Sequence, residues 1–110
     1  MIADLINKDR QGFIDLCKRC QVASIYAFGS SIRSDFREDS DVDVLVDVKA
    51  TNDWEAGGAL LDLWDGLENF FKRPVDLLTQ RSLRNPYLIA EIERTKQLIY
   101  DGGREEIWVC

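Results

Sequence analysis

The chain has 110 residues, 45% of them apolar and 31% charged, which fits one globular core and excludes both a disordered polymer and a second large domain. Its 20 acidic residues outnumber 14 basic ones for a formal charge of −6, so it holds no general attraction for the phosphates of long nucleic acid. It contains no histidine, which removes every Ser-His-Asp or Cys-His scheme and any imidazole base or metal ligand.

A single domain over 1–110 is expected, with its core at about 9–100 and a short tail over 101–110. No apolar run approaches the ~20 residues needed to cross a bilayer. Met1-Ile2-Ala3-Asp4 lacks the basic-then-apolar pattern of a secretory signal, so the expected location is cytoplasmic.

Ile2, Leu5 and Ile6 predict a short helical turn ending near Asn7. Phe13, Leu16, Cys17 and Cys20 then recur at helical spacing from about Asp9 to Cys20, with Lys18 and Arg19 near the C-terminal end. Cys17 and Cys20 form a C-x-x-C, but three cysteines and no histidine fall short of a structural zinc site. They are read as buried, reduced thiols on the apolar face.

Val22 to Phe28 is β-branched and aromatic and predicts a strand. Gly29 follows, able to turn or to admit close approach, and Ser30 is placed to cap a short helical turn over Ser31 to Ser34. After a charged loop, Asp41 to Asp47 predicts a second strand, antiparallel to the first because the connection is too short for a crossover.

Asn52 with Glu55 three residues on begins a long helix whose apolar stripe is Leu60, Leu63, Trp64, Leu67 and Phe71. Asp62, Asp65 and Glu68 are placed on the opposite side, and Gly57-Gly58 is read as permitting close packing. Pro74 ends this region, and Val75-Asp76-Leu77-Leu78 predicts a short strand. Asn85-Pro86 opens a helix to about Arg94 with Leu88, Ile89 and Ile92 inward, and Gln97 to Tyr100 predicts a last short strand. Asp101-Gly102-Gly103 is a turn, and Ile107-Trp108-Val109 a terminal apolar patch.

Three aspartates stand out. Side chains two apart on a strand share a face, roughly 6.6 Å apart along its axis, so Asp41 and Asp43 face one way and Val42, Val44 and Val46 the other. Asp76 is set among apolar residues on another strand, and if the two strands are neighbours the three carboxylates converge. Two unit charges 4 Å apart repel by about 4 kcal/mol at an effective dielectric of 20. Hard divalent cations with oxygen ligands resolve such repulsion, and magnesium suits a few carboxylates plus substrate phosphates. The Gly29-Ser30 turn supplies backbone N–H groups and a hydroxyl for an anion, and Arg33 a cation for a phosphate oxygen or for the acidic loop.

In this order and spacing, Gly29, Ser30, Arg33, Asp35, Ser40, Asp41 and Asp43 complete the pattern G-S-x-x-R-x-D followed by S-D-x-D. The chain thereby resembles the nucleotidyltransferase superfamily that includes DNA polymerase beta. It resembles most closely the minimal nucleotidyltransferases (MNT) of bacteria and archaea. The resemblance covers about Asp9 to Tyr100 and implies an α+β fold, a small mixed sheet flanked by helices. It implies Asp41 and Asp43 as metal ligands, with Asp76 as the third carboxylate, either a ligand or the base for the attacking hydroxyl. Gly29 and Ser30 would hold a nucleoside triphosphate, with Mg2+ (two ions) as cofactor and ATP as substrate.

Family members of this size often pair with a helical HEPN toxin and can transfer AMP to a partner tyrosine, so the state the resemblance implies is a hetero-oligomer or a homodimer. The alternatives are an antitoxin that neutralises its partner by binding alone and a nucleotidyltransferase acting on a small molecule. Ser31 departs from the pattern, standing where a larger or basic residue is common, and Glu38 stands where proline is frequent. Gly102 to Cys110 falls past the usual end, as an extra strand, a partner contact or a frayed tail.

Overall fold

Strands β1 (Val22–Ala27) and β2 (Val42–Val48) pair antiparallel, as the short connection between them requires. The opposite case follows: helix α3 (Asp53–Phe71) carries the chain back along the sheet, so that β3 (Val75–Leu78) lies parallel to β2. On the other side of β1, β4 (Gln97–Asp101) pairs antiparallel, and β5 (Glu106–Ile107) adds to it, giving the order β3-β2-β1-β4-β5. This computed structural model describes residues 2–32 and 40–107.

The helices start where side-chain oxygens meet free backbone donors. After α1 (Ile2–Asn7), Asp9 accepts from the Gly12 amide at 3.0 Å to cap α2 (Arg10–Arg19). Asn52 accepts from Glu55 N–H at 2.8 Å to cap α3, and Asn85 caps α4 (Pro86–Thr95), with Pro86 at its first position. Helix α3 ends at Lys72 in the left-handed region, φ 56°, two residues before Pro74.

The sheet divides the apolar residues in two. Val42, Val44 and Val46 join Phe13, Leu16, Cys17, Leu63, Leu67 and Phe71 in the main core beneath α1, α2 and α3. On the other face Phe28 and Leu45 pack with Leu83 and Ile92, supported by Tyr26, Leu78 and Ile89. Gly66 lets α2 approach α3, since a Cβ there would overlap the Leu16 side chain. Cys17 and Cys20 are buried free thiols, as read from the helical register; burial pushes both thiols up in pKa.

Four expectations are corrected. Gly57 and Gly58 do not pack closely: a Cβ at either would meet nothing within 4 Å. Trp64 is 44% exposed, and its indole N–H donates to Val75 O at 2.8 Å. Glu68 does not lie away from the packed side either, because its carboxylate accepts from Val75 N–H at 2.9 Å. Leu88 is exposed rather than inward, leaving Ile92 and Ile89 to pack α4 on the sheet. Gln97–Asp101 is followed by a further strand, so part of the tail extends the sheet, and Ile107 packs against the main core. Trp108 to Cys110 lie outside the described residues.

Candidate active site

The pleat of β2 sends Val42, Val44 and Val46 into the main core and Asp43 and Leu45 to the opposite face. Leu45 is covered there by the smaller core, whereas Asp43, at the start of the strand, is half-buried. The parallel register places Asp76 of β3 directly beside Asp43, with Val42 beside Val75 and Val44 beside Leu77. Asp76 is exposed. Two carboxylates side by side across adjacent strands destabilise a sheet, so this register opposes simple packing preference.

The end of β1 wraps around the same carboxylate. Phe28 N–H donates to Asp43 O at 3.2 Å, the last rung between the two strands. Gly29 then takes φ +62° and turns the chain into a 3₁₀ turn over Gly29–Ile32. A Cβ at Gly29 would lie 2.8 Å from Asp43 Oδ2, so only glycine lets the turn touch the carboxylate without displacement. The helical turn therefore begins at Gly29 rather than Ser31, with Ser30 inside it and not ahead of it as a cap.

Where β1 would have offered its next carbonyl, the buried Ser31 hydroxyl accepts from Asp43 N–H at 2.8 Å. Asp43 is thus held by both backbone groups from the turn side. Sequence reasoning missed Ser31, treating it as a departure from the family pattern; the signal available was a small polar residue next to Gly-Ser.

Asp41 lies one residue ahead of β2 and is exposed. The chain there is tied to the end of α3: Arg73 Nη1 donates to Ser40 O at 3.4 Å, and Val42 N–H to Pro74 O at 3.1 Å. The structure therefore brings Asp43, Asp76 and Gly29 together, with Asp41 two residues from Asp43. Among the described residues, no three His, Cys, Asp or Glu side chains form a ready-made cage for one ion. Arg33 and Asp35 lie outside the described residues, as does the side chain of Ser30. Among the described residues no helix is long and apolar enough to cross a membrane.

Residues 12–105 match the family "Polymerase beta, Nucleotidyltransferase". A protein of Methanocaldococcus jannaschii named as a protein adenylyltransferase is 34% identical over 99 residues, covering 90% of this chain and 93% of that protein. A toxin–antitoxin crystal structure with AMP-PNP superposes with a TM-score of 0.59 at 25% identity, over 84% of this chain and 73% of that one. A chain from the complex of tri-AMPylated Shewanella oneidensis HEPN toxin with MNT antitoxin shares the fold, with a TM-score of 0.57 at 22% identity, over 96% of this chain and 76% of that one.

Proposed function

The chain belongs to the polymerase beta nucleotidyltransferase family, and on that premise we propose that it is the antitoxin of a HEPN/MNT pair, transferring AMP from ATP to a tyrosine of its partner toxin. The observation that carries this reading is the close approach of the Asp43 carboxylate to Gly29, φ +62°, where a Cβ would lie 2.8 Å from Oδ2, with Asp43 itself in register with Asp76. An anion-binding turn beside paired carboxylates is what a magnesium-bound triphosphate needs from both sides. The AMP-PNP complex and the AMPylated toxin among the structural neighbours support ATP as donor and a HEPN protein as acceptor.

Asp43 and Asp76 on adjoining strands, with Asp41 one residue ahead of β2, fit magnesium by donor chemistry, being carboxylates that leave the remaining positions to water and phosphate. When bound, magnesium neutralises phosphate charge and polarises the α-phosphoryl group. Gly29 and Ser30 hold the triphosphate on backbone N–H groups, and Arg33 adds a cation. The toxin's tyrosine oxygen attacks the α-phosphorus and a new P–O bond forms. The bond to the bridging oxygen of the β-phosphate breaks, and pyrophosphate leaves with the electron pair. Asp76 receives the phenolic proton. On this reading the toxin supplies the docking surface for its own tyrosine, and the reaction takes place in the cytoplasm.

Intact-mass measurement of a co-expressed HEPN partner tests the reading. The toxin should gain the mass of AMP with the wild-type chain and none with Asp43→Ala. An unmodified toxin that is nonetheless neutralised would replace transfer with inhibition by binding.

A further inference from the structure

Strand β3 carries Asp76 but is only four residues long and lies at the edge of the sheet. Such a strand pairs on one side and frays from the other, where its N–H and C=O groups face outward. At Val75, the residue before Asp76, both outward groups are taken by α3. Glu68 Oε2 accepts from Val75 N–H at 2.9 Å, and Trp64 Nε1 donates to Val75 O at 2.8 Å. The two side chains are four apart, hence neighbours on one helix face, and together they imitate the missing strand for one residue. On its paired side the start of β3 is held by Pro74 O, which accepts from Val42 N–H at 3.1 Å. The backbone on which Asp76 stands is therefore gripped on both edges one residue before the carboxylate.

We propose that Trp64 and Glu68 are positioning residues that hold Asp76 in register with Asp43. The clamp deepens the transferase reading and rests on it only for its effect on ligands. Neither side chain touches the reacting groups. Their work is to stop β3 from fraying or slipping, because a slip of one residue would turn Asp76 to the core face and a core side chain outward. Trp64 suits this because it lies at the edge of α3, its ring partly exposed and its N–H alone reaching the strand. Glu68 suits it as an acceptor, a role that a glutamine amide oxygen can fill equally well.

The test compares Trp64→Phe, Glu68→Leu and Glu68→Gln by two measurements. Amide hydrogen exchange at Val75 and Asp76 reads the clamp without any ligand. In Trp64→Phe and in Glu68→Leu these amides should exchange about 10-fold faster, or more, than the change in global stability accounts for, while Glu68→Gln should stay within about 2-fold of wild type. The Mn2+ concentration giving half-maximal AMP-PNP binding reads the consequence. It should rise about 5-fold or more in Trp64→Phe and Glu68→Leu, as for other residues that orient a ligand from behind, and be restored in Glu68→Gln. Unchanged exchange in both disruptive variants overturns the clamp. Faster exchange with unchanged Mn2+ dependence, where Asp76→Asn does alter it, overturns the positioning role. If wild-type AMP-PNP binding ignores Mn2+ altogether, the transferase reading falls, while exchange still decides the clamp.

Discussion

Replacing Gly29 by alanine isolates the contact on which the site is built. Two effects act together. At φ +62° an L-residue with a Cβ costs about 1–2 kcal/mol relative to glycine. The new Cβ would also lie 2.8 Å from Asp43 Oδ2, closer than carbon and oxygen tolerate, so the carboxylate or the turn must move by some tenths of an ångström. The backbone of Asp43 is held, its N–H on Ser31 Oγ and its carbonyl on Phe28 N–H, so the movement falls on the carboxylate's own side-chain torsions. We expect a loss of about 1–2 kcal/mol, seen as a Tm lower by roughly 5–10 °C for a domain of this size. The displaced carboxylate should lower metal-dependent AMP-PNP affinity by about 10–100-fold, the range for disturbed metal-site support. Thermal unfolding with and without ligand, followed by titration at a temperature where the variant is folded, reads both. A Gly29→Ala protein with unchanged Tm and wild-type affinity would refute the argument that this turn and this carboxylate are in contact.

Other outcomes follow from the same geometry. Ser31→Ala leaves the Asp43 N–H buried without its acceptor and should cost about 1–3 kcal/mol in denaturant titration, with Ser31→Thr as the hydroxyl-retaining comparison. Gly57→Ala and Gly58→Ala meet no neighbour and lie within a helix, so each should gain about 0.5–1 kcal/mol; a loss would mean that α3 is packed there after all. Burial raises the pKa of Cys17, Cys20 and Tyr100 in the folded chain, so the folded state retains protons that the unfolded state releases. Stability should therefore be complete below about pH 8.5 and fall as pH rises above it, and Cys17→Ala should flatten the first part of that fall in pH-dependent melts.

The strands and the pairing of β1 with β2 were legible because they follow from local rules. Alternation placed Val42, Val44 and Val46 inward, and the short connection left only the antiparallel hairpin-like option. The caps at Asn52 and Asn85 were legible for the same reason, each being a contact within three residues. What periodicity cannot contain is where the sheet ends. Trp64 and Glu68 flank the apolar stripe of α3, and whether a flank is core, surface or clamp depends on β3 being an edge strand. Gly57-Gly58 and Leu88 miscarried likewise, since each sits on a helix face whose cover is a tertiary fact. Ser31 was illegible for a different reason. Its hydroxyl matters only because the turn starts at Gly29, two residues before the start expected from Ser30 as a cap.

Three features of this chain gather at one point. A left-handed Gly29, two carboxylates abreast in register and an edge strand that needs side chains to hold it all meet within a few residues of Asp43. Left-handed residues other than glycine stand elsewhere, at Gln21 between α2 and β1, Lys72 at the end of α3 and Glu105 just before β5, and the register shifts of β1 lie between Val22 and Ser24 and between Ile25 and Tyr26. On the proposed reading, the like charges of Asp43 and Asp76 are the pair that a bound cation would offset. If the proposed reading holds, Asp76→Asn should give an apo protein no less stable than wild type that has lost transfer, whereas an antitoxin acting by binding alone would keep full neutralisation in the same variant.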